Sequence, residues 1–207
     1  SPPMRLKLTA KYSRREGQAL SDKASHARAL ARRPFPPGVH GPVNGYGRMT
    51  DYGKQLREKQ KAKRLYGLAE KQFHNLFQEA SKRRGNTEEA LVQFLELRLD
   101  NAVYRAGFAK TRAAARQAVG HAHFEVNGRK VNIPSYRVRP GDVIKLRANK
   151  QGKGLWQNIA EQLSKKEVPS WISLQASESS AKITSVPSGD ELRQPFDAKL
   201  IIEFYSR

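Results

Sequence analysis

Between Leu97 and Arg147 the chain reads LRLDNAVYRAGFAKTRAAARQAVGHAHFEVNGRKVNIPSYRVRPGDVIKLR, and its hydrophobic period changes partway along. That change constrains the fold more than any other feature. Leu99, Val103 and Ala106 recur at intervals of four and three, the stripe of an amphipathic helix, with Arg98, Asn101 and Arg105 on its other faces. Gly107 should end this helix. Thr111 should cap a second one, Arg112 to Val119, by accepting a backbone N–H. Within it Ala114, Ala115, Ala118 and Val119 are expected to face inward, which sets Arg112 and Arg116, four residues apart, on one outer face. From Phe124 the period becomes two. Phe124 and Val126 flank Glu125, Asn127-Gly128 has the residues of a type I′ turn, and Val131 and Ile133 follow beyond it, so a hairpin is expected. Pro140-Gly141 marks another turn, after which Val143, Lys145 and Arg147 alternate with Ile144 and Leu146 in a third strand with one basic face. Two helices on a small antiparallel sheet make an α+β module, and α+β is the class expected of the chain.

Charge narrows the function. The formal net charge is +20 over 207 residues. Residues 1 to 66 hold 16 Lys and Arg against 4 Asp and Glu, residues 101 to 150 hold 11 against 2, and the remainder is close to neutral. Two cationic regions on a neutral scaffold imply a polyanionic partner met at both, with strongly salt-dependent binding. A membrane surface is the competing polyanion. It is disfavoured, because no apolar run approaches the roughly 20 residues of a span and the basic helices lack the bulky apolar face of an interfacial helix. The absence of cysteine excludes a disulfide framework and thiolate metal sites, and fits a reducing compartment.

In chain order, residues 1–45 are expected to form an extended arm, rich in Arg, Lys, Pro and Gly with little apolar periodicity, a composition expected to order only against RNA. Asp51 is placed to cap a helix to about Tyr66 that is polar all round, and so is either a solvated surface helix or one lying on RNA backbone. The next helix has Phe73, Leu76, Phe77 and Ala80 at core spacing and should stop at Gly85. Asn86 with Glu89 suits a capping box for a third, whose Leu91, Phe94 and Leu95 complete that core. Beyond the module, Leu155 to Leu163 suggests a short amphipathic helix, and Trp171, Ile172 and Leu174 a strand. Ile183 with Val186 suggests another strand, after a turn at Ser177 to Ser180. Asp197 is positioned to cap a helix carrying Leu200, Ile201 and Phe204, although LIIEFY also suits a strand.

The strings RLDNAVYRAGFAKTRAAARQAV, VNGRKVNIPSYRV and GDVI resemble the RNA-binding module of bacterial-type small-subunit ribosomal protein four. SRREG (13–17), PPGVHG (36–41), DYGKQLREKQKAKRLYG (51–67), PSWI (169–172) and the closing IIEFYSR resemble the same family in the same order. The likeness covers nearly the whole chain. It implies a structural protein of the small subunit, in the cytoplasmic ribosome. Such a protein binds rRNA first at a multi-helix junction, nucleates assembly of the subunit body, and affects decoding accuracy with its neighbours, proteins five and twelve. It also implies contact with mRNA where it enters the subunit, through a basic cluster between the HG and DYG motifs. Here that segment is PVNGYGRMT with Arg48 its only cation, so a weaker contribution is expected. The resemblance divides the chain into an arm (1–45), a helical domain (46–96, completed by 190–207) and an inserted module with a C-terminal extension (97–189). It also makes SRREG and PPGVHG working parts of the arm rather than pieces of a transit peptide. Many relatives fold this arm around a zinc with four cysteines. The matching positions are Ala10, Ser13, Lys23 and Arg28, so no metal is expected, and direct phosphate contact is a candidate for the ordering role.

The expected RNA-binding residues are Arg14, Arg15, Arg33 and His40 in the arm, followed by Arg48, Tyr52, Lys54, Arg57, Lys59, Lys61, Lys63 and Arg64. In the module they are Arg105, Lys110, Arg112, Arg116, His121, Asn127, Arg129, Lys130, Arg137 and Arg139. A-form RNA hides its base edges, so these cations would register phosphate positions. Tyr46, Tyr52, Tyr66, His40 and Tyr104 either stack on bases or are buried with satisfied polar groups. His121 and His123 would share a strand face, as in a metal site, but no third ligand is near, and an RNA-facing or packed pair fits as well. The family often has glycine where Ala122 stands between them. Asp100 is expected to pair with Arg98, Arg105 or Arg112. No phosphate-binding loop follows GYG or GKG, and no Ser-His-Asp or Cys-His constellation exists, so catalysis has no support. An RNA-modifying enzyme or RNA chaperone carrying the same module is the alternative. The first needs a further catalytic domain, and the second would not need the arm motifs.

Overall fold

The computed structural model describes residues 7–44 and 47–207. Tyr46, one of the candidate stacking rings, lies outside them. Two compact units are present: the chain up to Leu91 together with Gln194–Arg207, and Val92–Arg193. The observed divisions fall a few residues from 96/97 and 189/190, inside a helix on one side.

In the first unit the arm contains α1 (Ala10–Glu16), α2 (Ala24–Arg32) and a single turn, α3 (Gly41–Asn44). It has internal structure where an extended arm was expected, for reasons its apolar content does not reveal. Ser13 and His26 are buried with Oγ and Nδ1 2.6 Å apart, and the amide of buried Leu20 donates to the same Oγ at 3.0 Å. Gly17, at φ +66°, closes α1 in the left-handed conformation. α4 (Asp51–Tyr66) is capped by Thr50, whose Oγ1 accepts from the Gly53 amide at 3.1 Å; Asp51, the expected cap, is in the first turn. Nor is α4 polar all round. Ala62, Leu65 and Tyr66 are buried, and so are Gln55 and Lys59, because the C-terminal helix α10 (Ala198–Tyr205) packs along it. Asp197 Oδ1 caps α10 through the Lys199 amide, which decides for helix over strand. α5 (Glu70–Ser81) buries Phe73, Phe77 and Ala80 and leaves Leu76 partly exposed. It ends four residues before Gly85. Tyr205 stacks on His74 and Phe77, with ring centroids 5.0 and 4.7 Å away. α6 (Thr87–Glu96) begins at Asn86, whose Oδ1 accepts from the Glu88 and Glu89 amides.

The second unit pairs α7 (Leu99–Ala106) and α8 (Arg112–Gly120) with a five-stranded antiparallel sheet. Its strands are β1 (Phe124–Val126), β2 (Arg129–Lys130), β3 (Val143–Leu146), β4 (Ile172–Gln175) and β5 (Ser180–Ile183), in the order β2-β1-β3-β5-β4. Asn127 and Gly128, at φ +52° and +80°, make the primed turn of the hairpin, and Phe124 faces Leu146 across β1 and β3. Thr111 Oγ1 caps α8 as expected, through Ala114 N–H. The core joins Leu99, Val103, Ala115, Val119, Phe124, Ile144, Leu146, Trp171 and Ile183. Four local expectations fail. Ala114 is exposed, because α8 turns only Ala115, Ala118 and Val119 inward; Ile133 is 54% exposed, beyond the end of β2; Val186 lies past β5. The helix expected over 155–163 is broken into a 3₁₀ turn, Gly154–Trp156, and α9 (Ile159–Ser164), which buries Trp156 and leaves Leu155 exposed.

Candidate nucleic-acid interface

The module's signature residues are mostly inside it. Glu96, Arg98, Asp100 and Asn101 are each no more than 5% exposed, although Arg98 and Asn101 lie off the apolar stripe. Arg98 forks onto Asp100 through Nε and Nη2 at 3.1 and 3.0 Å; the Asn101 amide donates to Asp100 Oδ1 at 2.7 Å, and Arg116 Nε approaches Oδ2 at 3.5 Å. Glu96 receives Arg105 through Nε and Nη2 at 3.0 and 2.9 Å and Asn101 Nδ2 at 2.8 Å. Asn101 Oδ1 in turn accepts from Arg112 Nε at 2.9 Å. Both carboxylates therefore have charge-assisted bonds on both oxygens, the condition under which buried charge is tolerated. Asp100 pairs with Arg98 as expected, and its second cation is Arg116; Arg105 serves Glu96 and Arg112 serves Asn101.

This network sorts the expected RNA-binding residues of the module. Arg105, Arg112 and Arg116 are half-buried, and Arg105 and Arg112 also lie against Tyr104, 5.8 and 4.6 Å from its ring centroid. The Arg137 guanidinium sits 3.8 Å above the Phe94 ring. These four arginines brace the module. Lys110, Arg129, Lys130 and Arg139 are exposed, and β2 holds Arg129 and Lys130 on a rigid hairpin opposite Val126 and Glu125. Asn127 ties the turns together: its Nδ2 donates to Asp142 Oδ1 and its Oδ1 accepts from the Val143 amide, both at 2.9 Å.

His121 and His123 do not share a strand; they flank a turn between α8 and β1, with ring centroids 6.3 Å apart. His123 Nδ1 accepts from Trp156 Nε1 at 2.8 Å. Burial, with the nearby charges of Lys150 and His121, lowers the His123 pKa, consistent with a neutral ring whose lone pair is already used. Ala122 adopts φ +60°, which accounts for glycine suiting this position. Among the described residues no three His, Asp or Glu side chains are grouped to hold a metal ion.

In the first unit many cations are likewise committed. Glu16, with its side chain 1% exposed, receives Arg57 and Arg64 on Oε1 at 3.3 and 3.0 Å. Burial raises the Glu16 pKa against the lowering effect of the two arginines. Lys59, 5% exposed, donates to Glu70 at 2.8 Å, with Lys63 at 3.5 Å from the same oxygen, and Tyr205 bonds the other oxygen. Burial lowers the Lys63 pKa; Glu70, although burial opposes it, is held below its ordinary value by Lys59 and Tyr205. Lys61 pairs with Glu58 at 3.0 Å. Arg14 Nε and Arg15 Nη2 bond the carbonyls of Arg33 and Pro37. Tyr66 is buried, and Tyr52 packs on Phe204 and Arg207. Arg15, Arg33, His40, Arg48 and Lys54 are exposed. Sequence reasoning left out Lys11 and Arg32, also exposed; the four-residue spacing of Arg28 and Arg32 would have revealed a shared face once α2 was recognised.

Two cationic surfaces on helical and antiparallel scaffolds, with the buried carboxylates Glu16, Glu96 and Asp100 paired to arginines, define an RNA-binding protein class. The chain matches the ribosomal protein S4/S9 N-terminal domain over residues 7–96 and the S4 domain over residues 97–144. It is 46% identical over 197 residues to small ribosomal subunit protein uS4 of Chlorobium limicola, covering 95% of this chain and 96% of that protein. The counterparts from Chloroflexus aurantiacus and Persephonella marina are 47% and 48% identical, over 95% of this chain and 96% and 95% of theirs. The chain belongs to the uS4 family of small ribosomal subunit proteins. This is a family of structural proteins, not enzymes.

Proposed function

We propose that this protein is an rRNA-binding component of the small ribosomal subunit, in the cytoplasm, that binds early at a multi-helix junction and nucleates assembly of the subunit body. The observation that carries this reading is the exposed pair Arg129 and Lys130 on a hairpin whose supporting core and polar network are internally satisfied. Rigid cations with no structural duty are suited to reading phosphate positions. Contact with protein five, an influence on decoding accuracy, and a contact with entering mRNA through Arg48 belong to the same proposal, supported by family membership.

Titration of a small-subunit rRNA junction fragment against salt tests it. Arg129→Ala with Lys130→Ala should make the slope of log affinity against log salt shallower by roughly 0.9 for each phosphate no longer neutralised. Lys153→Ala with Lys165→Ala, in the near-neutral C-terminal portion, is the control of equal charge. Equal slope changes for the two pairs, or absence of the protein from small subunits purified at low salt, would overturn the proposal.

A further inference from the structure

The turn that closes the β1–β2 hairpin is also the place where the main chain is chemically least secure. In an asparagine followed by glycine, the side-chain carboxamide is open to attack by the next backbone nitrogen, because glycine puts no Cβ in the path of the nucleophile. The chain has two such pairs, Asn44-Gly45 and Asn127-Gly128. At the second, both residues are exposed, and the pairing of Val126 with Arg129 leaves the Gly128 amide out of the β1–β2 ladder. Water reaches the turn, and nucleophile and target are neighbours in the sequence.

The carboxamide itself is tied down. Its Nδ2 donates to Asp142 Oδ1 and its Oδ1 accepts from Val143 N–H, both at 2.9 Å, while the Asn127 main-chain N–H donates to the Val143 carbonyl at 2.9 Å. Asp142 is anchored in turn. Its Oδ2 accepts from the Arg139 amide at 2.9 Å, its N–H donates to the Arg139 carbonyl at 3.0 Å, and its carbonyl accepts from Ile183 N–H at 2.8 Å. The Gly128 nitrogen has to approach Asn127 Cγ from above the carboxamide plane, so the side chain must turn out of both of its bonds before a ring can close. One of them ends on a carboxylate, the stronger kind of hydrogen bond.

We propose that Asn127 is a site of spontaneous deamidation, restrained in the folded protein by the clamp of Asp142 and the Val143 amide. Ring closure forms a bond from Gly128 N to Asn127 Cγ and breaks the Cγ–Nδ2 bond; Nδ2 leaves as ammonia with the proton that Gly128 N gives up. Water then opens the cyclic imide. Cleavage of the bond from Cγ to Gly128 N gives aspartate, and cleavage of the bond from the Asn127 carbonyl carbon to Gly128 N gives isoaspartate, whose main chain runs through Cβ and Cγ. Water is consumed, ammonia is released, and nothing is oxidised or reduced. Either product undoes the corner. Aspartate sets a second carboxylate against Asp142 where a donor stood, a like-charge contact. Isoaspartate lengthens the main chain by a methylene, so the turn no longer sets Val126 opposite Arg129 and Glu125 opposite Lys130.

The test incubates the full chain at mildly alkaline pH, folded and in guanidinium chloride, and follows Asn127 and Asn44 by peptide mass spectrometry, with chromatography separating aspartate from isoaspartate. In denaturant Asn127 should convert to both products. In the folded protein it should convert at least about tenfold more slowly, the factor that corresponds to about 1.4 kcal/mol of clamp. Asp142→Ala should raise the folded rate at Asn127 by about tenfold, and should leave the rate at Asn44, in the other unit, unchanged. Circular dichroism checks the fold of that variant. Asp142→Asn keeps the shape of the side chain and an acceptor, and its rate should fall between wild type and Asp142→Ala. Asn127→Asp should lower the melting temperature, and adding Asp142→Asn, which restores a donor opposite an acceptor, should raise it again. Absence of conversion at Asn127 in denaturant would overturn the site. Equal rates in the folded and unfolded chain, or a rate in folded Asp142→Ala no higher than wild type, would overturn the clamp; if Asp142→Ala does not fold, a rate in Asp142→Asn no higher than wild type does the same.

Discussion

Each unit buries carboxylates among arginines, and the two do it differently. In the module, Glu96 and Asp100 have every oxygen bonded, by Arg105, Asn101, Arg98 and Arg116. In the first unit, Glu16 crowds both of its arginines onto Oε1, while Oε2, also buried, has no hydrogen-bond partner among the described residues. Satisfied charge is part of the framework, since removing one partner leaves the other stranded; half-satisfied charge is a local liability. The module is built as a finished object. The arm and α4 retain an unsatisfied acceptor that only a further donor could relieve.

The contrast can be broken most directly at Asp100. Asp100→Ala should cost about 3–5 kcal/mol in urea unfolding, because Arg98 is left buried without its counter-charge; a loss under about 1 kcal/mol would show that the network is not structural. Next in size, Arg112→Ala with Arg116→Ala should cost about 1–3 kcal/mol through removal of charge-assisted bonds to Asn101 and Asp100, discounted because both side chains are half-exposed. Arg129→Ala with Lys130→Ala should stay within about 0.5 kcal/mol of wild type. Comparable losses for the two pairs would erase the division between bracing and exposed cations.

Glu16→Gln should lie within about 1 kcal/mol of wild type at pH 7, because the missing attraction to Arg57 and Arg64 is offset by the smaller burial cost of an amide. Its pH dependence sharpens the point. The carboxyl's folded pKa is above its ordinary 4.5, so its contribution to stability is fully present below that value and is lost as pH rises through the raised one. Wild type should therefore gain stability relative to Glu16→Gln on acidification from pH 7, and a parallel pair of unfolding curves across that window would refute the assignment. A gain rather than a loss is expected at Ala122, at φ +60°. Ala122→Gly should stabilise by up to about 1 kcal/mol, measured as a rise in melting temperature.

Most of the module's framework was legible because its signals are local. The primed turn at Asn127-Gly128, the Thr111 cap and the alternation of β3 each occupy a few consecutive residues. The sheet's completion by β4 and β5 was visible only as two isolated apolar runs. The direction taken by a charged side chain was not legible. Arg98 and Asn101 lie off the apolar stripe, and nothing in the spacing shows that Asp100 and Glu96 turn inward to meet them. Lys59 is hidden for a different reason: the helix that covers it lies about 140 residues further along the chain. The arm was misjudged because composition counts apolar residues, whereas Ser13 and His26 organise it through one buried polar contact.

The placement of α10 has a consequence for synthesis. A ribosome delivers this chain from its N-terminus at about 5–20 residues per second, and each unit can fold only when its last segment has emerged. The module spans the contiguous stretch Val92–Arg193, whereas the unit containing α4 needs Gln194–Arg207 as well. The module therefore has all its parts first. Until α10 arrives, the face of α4 that buries Lys59 and Ala62 is uncovered, and the part of the chain made earliest is the last to be closed.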